Sequence, residues 1–180
     1  MNNLADSYVT YTGTETTNIT GLSHLEGERV TVWANGVDIG TSADGNSQNY
    51  TVSSGAVLIT GSTGYTNVTV GLPYTADWKS AKLGPTQQAV LGEIGRIQHV
   101  SLLLADAHAK GLRFGPDFTN LDDRPGRDDW ADVSVDHIDT AYDSDPIIFP
   151  GGWSADMRIC LRAQAPRPCT VLAVAYTGEK

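Results

Sequence analysis

The chain has 180 residues, 40% of them hydrophobic, with 21 acidic against 12 basic side chains and a formal net charge of −9. That length suffices for one domain or two small ones with a buried core, and the charge argues against a phosphate-binding surface, which needs clustered Lys and Arg. No apolar run approaches the roughly 20 residues that a membrane-spanning helix requires, so no membrane span is expected.

The start, MNNLADSYVT, lacks the basic-then-apolar layout of a secretory signal. Either the protein stays in the cell that makes it, or the sequence begins inside a longer chain. Residues 1–75 are rich in Thr, Val, Ser, Gly and Asn, in short alternating runs: SYVTYT, TTNIT, RVTVWA, NYTVSS, AVLIT and NVTVGL. Period-two alternation with β-branched residues reads as strands.

GLSHLEGERVTVWANG, residues 21–36, raises the first chemical question. His24, Glu26 and Glu28 are candidates for an acid/base group or metal ligands. No His-x-x-x-His or Glu-x-x-His spacing supports a metal site. Gly21 and Gly27 permit tight turns. The preferred reading is a structural turn, in which Ser23 caps local amides while His24 and Glu26 bond nearby backbone.

In the strand that follows, Val30, Val32 and Ala34 share one face, with Thr31 and Trp33 on the other. Trp33, out of phase with its apolar neighbours, is expected to be exposed. Asn35-Gly36 signals a tight hairpin turn. TNITGL at 17–22 and TNVTVGL at 66–72 suggest two strands with similar exit geometry.

The stretch from Gln87 to Leu104 is ambiguous. Gly92 and Gly95 would each cost about 1 kcal/mol inside a helix. A strand over about 96–105 is preferred, with Val100, Leu102 and Leu104 on one face and a short helical turn near Thr86–Leu91. Residues 113–146 read as a long acidic loop. Then PIIFPGGW, MRICLRA and CTVLAVAYT close the chain as strands. TVLAVAY is nearly all apolar and reads as buried on both faces or central in its sheet. Trp153, after Pro150-Gly151-Gly152, is expected to plug the core where a strand begins. RAQAPRP reads as a hairpin turn that would oppose Cys160 and Cys169 across two strands, although two reduced, half-buried thiols are the preferred reading.

These patterns predict an all-β fold: an antiparallel sandwich or barrel-like structure with long loops and little helix. It would comprise one or two small subdomains, residues 1–80 and residues 81–180.

Cofactor and catalytic signatures are missing. There is no Gly-x-Ser-x-Gly elbow and no phosphate loop, so no cofactor, no metal and no enzymatic activity are expected. Asp122, Asp123, Asp128, Asp129 and the DSD at 143–145 lack a full calcium-loop pattern. Arg124 and Arg127 are expected to pair with the neighbouring aspartates in a solvated loop. Trp33, Trp78, Trp130 and Trp153 are candidates for a sugar-stacking platform, and Trp33 and Trp130 also for a subunit contact.

Four segments also resemble one family when read in order: GLSHLEGERVTVWANG, VTVGLPYTADWKS, RIQHVSLLLADAHAKGLRFGPDF and FPGGWSADMRICLRAQAPRPCTVLAVA. They are similar to the C-terminal part of tail nozzle, or tail-stabilisation (tail tubular), virion proteins of tailed bacteriophages. The resemblance runs from about Leu4 to Thr177. Its most specific pieces are the run Gly21 to Gly27 with His24 and Glu26, Gly71-Leu72-Pro73-Tyr74, Pro150-Gly151-Gly152-Trp153, and a final Pro-x-x-x-Thr-Val-Leu-Ala. Members of that family are typically much longer, so this chain would be a fragment or a short paralogue.

The resemblance implies a β-rich structural domain of a phage or phage-derived virion, assembled in the host cytoplasm. It would act through a ring-like homo-oligomer and through other tail proteins, with DNA passing but not specifically bound. It carries over no catalytic residues. The alternative is a β-sandwich module that binds carbohydrate or a receptor.

Overall fold

Val, Ile and Thr are stiff at χ1 and pack well on a pleated surface, so short β-branched runs divided by Gly, Asn and Asp settle as paired strands. The computed structural model describes residues 4–40, 50–60, 64–84, 93–125 and 137–179. Within them lie fifteen strands, all paired antiparallel where register is defined, and one short 3-10 turn. Several antiparallel sheets pack together, as the all-β sandwich-like expectation requires. The helical turn expected at Thr86–Leu91 lies outside the described residues.

The chain divides into two compact units. The first is Met1–Thr75 with the short segment Gln164–Arg167; the second is Ala76–Ala163 with Pro168–Lys180. The first division lies at Thr75–Ala76, where the sequence reading puts it at 80–81. Nothing in the composition signals that 164–167 belongs to the N-terminal unit.

In the first unit, β1 (Asp6–Thr16), β7 (Tyr65–Leu72), β3 (Arg29–Ala34) and β4 (Val37–Asp38) form a sheet in that order, with β5 (Tyr50–Thr51) on β3. A small ribbon pairs β2 (Asn18–Thr20) with β6 (Ala56–Leu58). Val30, Val32 and Ala34 are fully buried and join Ile19, Val57, Val68 and Val70 in one core. The expected shared face of β3 therefore exists.

Its other face is also covered, contrary to expectation. Trp33 is only 5% exposed and Thr31 1%, on a strand flanked by β7 and β4. Asn35 and Gly36 both adopt positive φ, 50° and 90°, and Ala34 pairs with Val37 across them. This is the tight turn that the sequence predicts.

The two Gly-Leu strand ends are not alike. Gly21 follows β2 at φ 86°. Gly71 lies inside β7, where a Cβ would come within 2.8 Å of the Asp6 carbonyl and 2.9 Å of the Tyr8 Cα. One glycine serves a left-handed turn and the other the close approach of β1.

In the second unit, β11 (Asn120–Asp123), β10 (Leu112–Asp117), β14 (Cys160–Gln164) and β8 (Thr75–Lys79) form one sheet in that order. The other sheet is built on β9 (Arg96–His108). One edge of β9 takes β12 (Ile138–Asp143) and β13 (Ile147–Ile148); the other takes β15 (Thr170–Glu179). Val100, Leu102 and Leu104 of β9 are buried as expected, against Leu112, Phe114 and Leu161 of the first sheet. Phe114 and Phe149 meet with ring centroids 6.3 Å apart. Each such side chain contributes about 1.5–3 kcal/mol when fully buried.

The region 113–146 is not one long loop. It contains β11, β12 and most of β10. The turn from β10 to β11 is fixed by Asp117 Oδ1, which accepts from the amides of Thr119 at 2.8 Å and Asn120 at 3.0 Å. An aspartate that reads as loop composition is here the device that closes a hairpin.

Nor do β14 and β15 form a hairpin. They belong to different sheets, so RAQAPRP carries the chain from one sheet to the other. Cys160 and Cys169 are not cross-strand neighbours, and both are free thiols. Burial pushes the pKa of each thiol up.

Candidate functional site

The cluster around His24 and Glu26 is a backbone clamp. Leu22 precedes the 3-10 turn Ser23–Leu25, and no side chain caps it; Ser23 is a helical residue here and not the cap. Glu26 reaches across the fold, where Oε1 accepts from Ser54 N at 2.8 Å and Oε2 from Gly55 N at 2.6 Å. His24 Nε2 lies 3.0 Å from Ser7 O. Both side chains do bind backbone, but backbone distant in sequence. Gly27 takes φ 80° beside them. Pro73 is half-buried just past β7.

The acidic candidates separate. Asp122 and Asp123 are exposed, and Asp123 pairs with Arg113 at 3.0 Å. Arg124 does not join them. It is 4% exposed, and its Nη2 donates to Asp139 Oδ2 at 3.0 Å. Its guanidinium lies 4.1 Å from the Tyr142 ring centroid. His137 Nε2 lies 3.4 Å from the same aspartate's Oδ1.

The expectation of a solvated Arg124 is therefore wrong. Charge density alone hides that β12 brings Asp139 and Tyr142 beneath it. Arg127, Asp128, Asp129 and Trp130 lie outside the described residues. No group of three or more His, Cys, Asp or Glu converges as a metal site among the described residues. No helix there is long and apolar enough to cross a membrane.

The third feature is a groove of about 490 Å³ in the second unit. Leu112, Leu161 and Ala163 line it from the first sheet, Trp78 from β8, and Val171 to Val174 from β15. Trp78 is 49% exposed and Leu172 60%. β8 is exposed along its whole length. β15 is exposed over most of its length and pairs with β9 alone among the described strands.

The expectation that TVLAVAY is buried on both faces is overturned. The register between β15 and β9 shifts between Val171 and Ala173. Leu172 is the extra residue of that bulge, turned out of the ladder.

From Thr170 to Gly178 the strand carries no charge and no proline. Natural edge strands are normally blunted by one or the other. Its first charge, Glu179, is engaged by Arg96 at 2.6 Å and by Gln98 Nε2 at 2.7 Å. An apolar strand with one open edge beside an apolar groove is the feature of this unit best suited to receiving another chain.

The other wall is fastened by a paired charge. Arg162 Nε and Nη2 each donate to the Asp77 carboxylate at 2.7 Å, joining β8 to β14. The hydrogen bond from Arg162 holds the Asp77 carboxyl below its ordinary pKa. A depressed carboxylate stabilises the fold above its unfolded pKa, about 3.9, and that contribution fades as pH falls through the lower folded value.

The β8 wall is thus expected to hold at pH 5 and to loosen only below about pH 4. The Trp78 indole N–H resonance, followed from pH 6 to pH 2, reports it. A transition unchanged in Asp77→Asn removes the pair as its cause.

Comparison with known proteins adds no relative. No protein-family model matches the chain, and no curated protein matches it either.

Proposed function

We propose that the chain is a structural component of a bacteriophage or phage-derived tail, nozzle-like or hub-like, which works by holding a shape and docking to neighbours. Its partners are copies of itself and other tail proteins, and its reaction chemistry is nil. One observation carries the reading: the uncharged, apolar β15 edge beside the groove that Trp78 lines. The resemblance of four ordered segments to tail nozzle proteins supports it independently.

A ring requires a head-to-tail contact between two different patches, and an open strand edge with a flanking groove is a patch that a neighbour completes. The same strand is where copies of a protein with net charge −9 meet without like charges opposed. Exposed carboxylates such as Asp122, Asp123, Asp143 and Asp145 repel phosphate, which lets DNA pass without adhering.

Light scattering at rising protein concentration tests the assembly. The wild-type mass is expected to climb above that of one chain. Leu172→Lys is expected to shift that climb to about tenfold higher concentration, equivalent to about 1.4 kcal/mol, with the unfolding midpoint unchanged because the side chain is already exposed. A protein that stays monomeric and binds no tail protein overturns the proposal.

A further inference from the structure

Trp153 does not plug the core: it is 54% exposed. It stands at a second groove, of about 460 Å³, which shares no residue with the β15 groove. We infer that this groove is a separate binding site and that its ligand is a neutral oligosaccharide.

The indole is displayed on a braced loop. Gly151 and Gly152 precede it. The residue after it, Ser154, exchanges two backbone hydrogen bonds with Gly95, at 3.1 and 2.8 Å. The Arg96 guanidinium lies 5.9 Å from the ring centroid, and Arg96 is itself held by Glu179 at 2.6 Å. An exposed aromatic ring so anchored is preorganised and costs little entropy to use. Sugars present apolar C–H faces that stack on such a ring, and hydroxyl rims that need donors and acceptors together.

The groove supplies both kinds of group. Lys79 and Arg158 donate, Asp117 and Asp156 accept, and the Asn120 amide does either. Two are already held in place by the protein. Asp117 Oδ1 is fixed by the amides of Thr119 and Asn120. Arg158 is held by Asp156 Oδ1 at 2.9 Å and by the Ser80 carbonyl at 3.1 Å.

The two acids and two bases cancel in formal charge. A phosphate or a polyanion would meet Asp117 and Asp156 as readily as Lys79 and Arg158. An uncharged, hydroxyl-rich ligand uses every one of these groups, and a purely apolar one uses none of them.

The test is a titration of the whole chain with neutral oligosaccharides of glucose, galactose, mannose and N-acetylglucosamine, reading the tryptophan indole N–H resonances. The Trp153 resonance is expected to move saturably with at least one of them. Trp153→Ala is expected to abolish the response while the remaining indole resonances keep their positions, which shows the fold intact. Lys79→Met is expected to weaken binding about tenfold, the scale of one hydrogen bond to a charged group. Three results overturn the inference: no saturable movement with any of the four, a response that persists in Trp153→Ala, or an equal response to inorganic phosphate.

Discussion

Replacing Asp139 with alanine is expected to lower the unfolding free energy by about 3–5 kcal/mol, the usual result of breaking a buried ion pair from one side. The Arg124 and Asp139 side chains are 0% and 4% exposed and meet at 3.0 Å. Without the carboxylate, the buried guanidinium keeps its contacts with Tyr142 and with the His108 carbonyl but loses the anion it meets at 3.0 Å. Taking the charge away as well, in Arg124→Met with Asp139→Ala, is expected to recover much of the loss. Urea denaturation measures all three. A loss under about 1 kcal/mol for Asp139→Ala would mean that water reaches the guanidinium and the pair behaves as a surface bridge.

The second large effect is expected at Arg167, in the first unit. Arg167 Nε donates to Asp38 Oδ2 at 3.0 Å, with side-chain exposures of 6% and 0%. The other carboxylate oxygen accepts from Gly40 N at 3.1 Å. Arg167→Met removes the guanidinium from the buried Asp38 carboxylate, again an expected loss of about 3–5 kcal/mol. The same substitution combined with Asp38→Ala is expected to be milder. If the double variant is as damaged as the sum of the two single ones, the two residues are not coupled and the pair has no special role.

Strand identity was largely legible in the sequence because alternation and β-branching act locally. The runs that became β1, β3, β7 and β9 are examples, and Asn35-Gly36 named its own turn. What sequence could not supply was which strand becomes an edge. An apolar run such as TVLAVAY reads the same whether it is central or lateral, since the difference lies in whether a second partner exists. Trp33 failed for the mirror reason, as a polar-phase residue on a strand whose two faces are both covered.

The acidic region hid its structure because Asp serves as exposed ion-pair partner, as turn fastener and as buried counter-ion alike. Asp123, Asp117 and Asp139 take those three parts in turn. The pairs Arg124–Asp139 and Arg167–Asp38 join residues 15 and 129 apart, and no local pattern marks either. Pro150-Gly151-Gly152 ahead of Trp153 says that the chain turns and not which way the indole points.

The pairing of Asp38 with Arg167 also sets an order in time. Asp38 leaves the ribosome 129 residues ahead of its partner. Until that partner appears, the first unit lacks the guanidinium that meets the buried Asp38 carboxylate. Vectorial synthesis usually lets an early domain finish first; here the first unit includes Gln164–Arg167, made after most of the second.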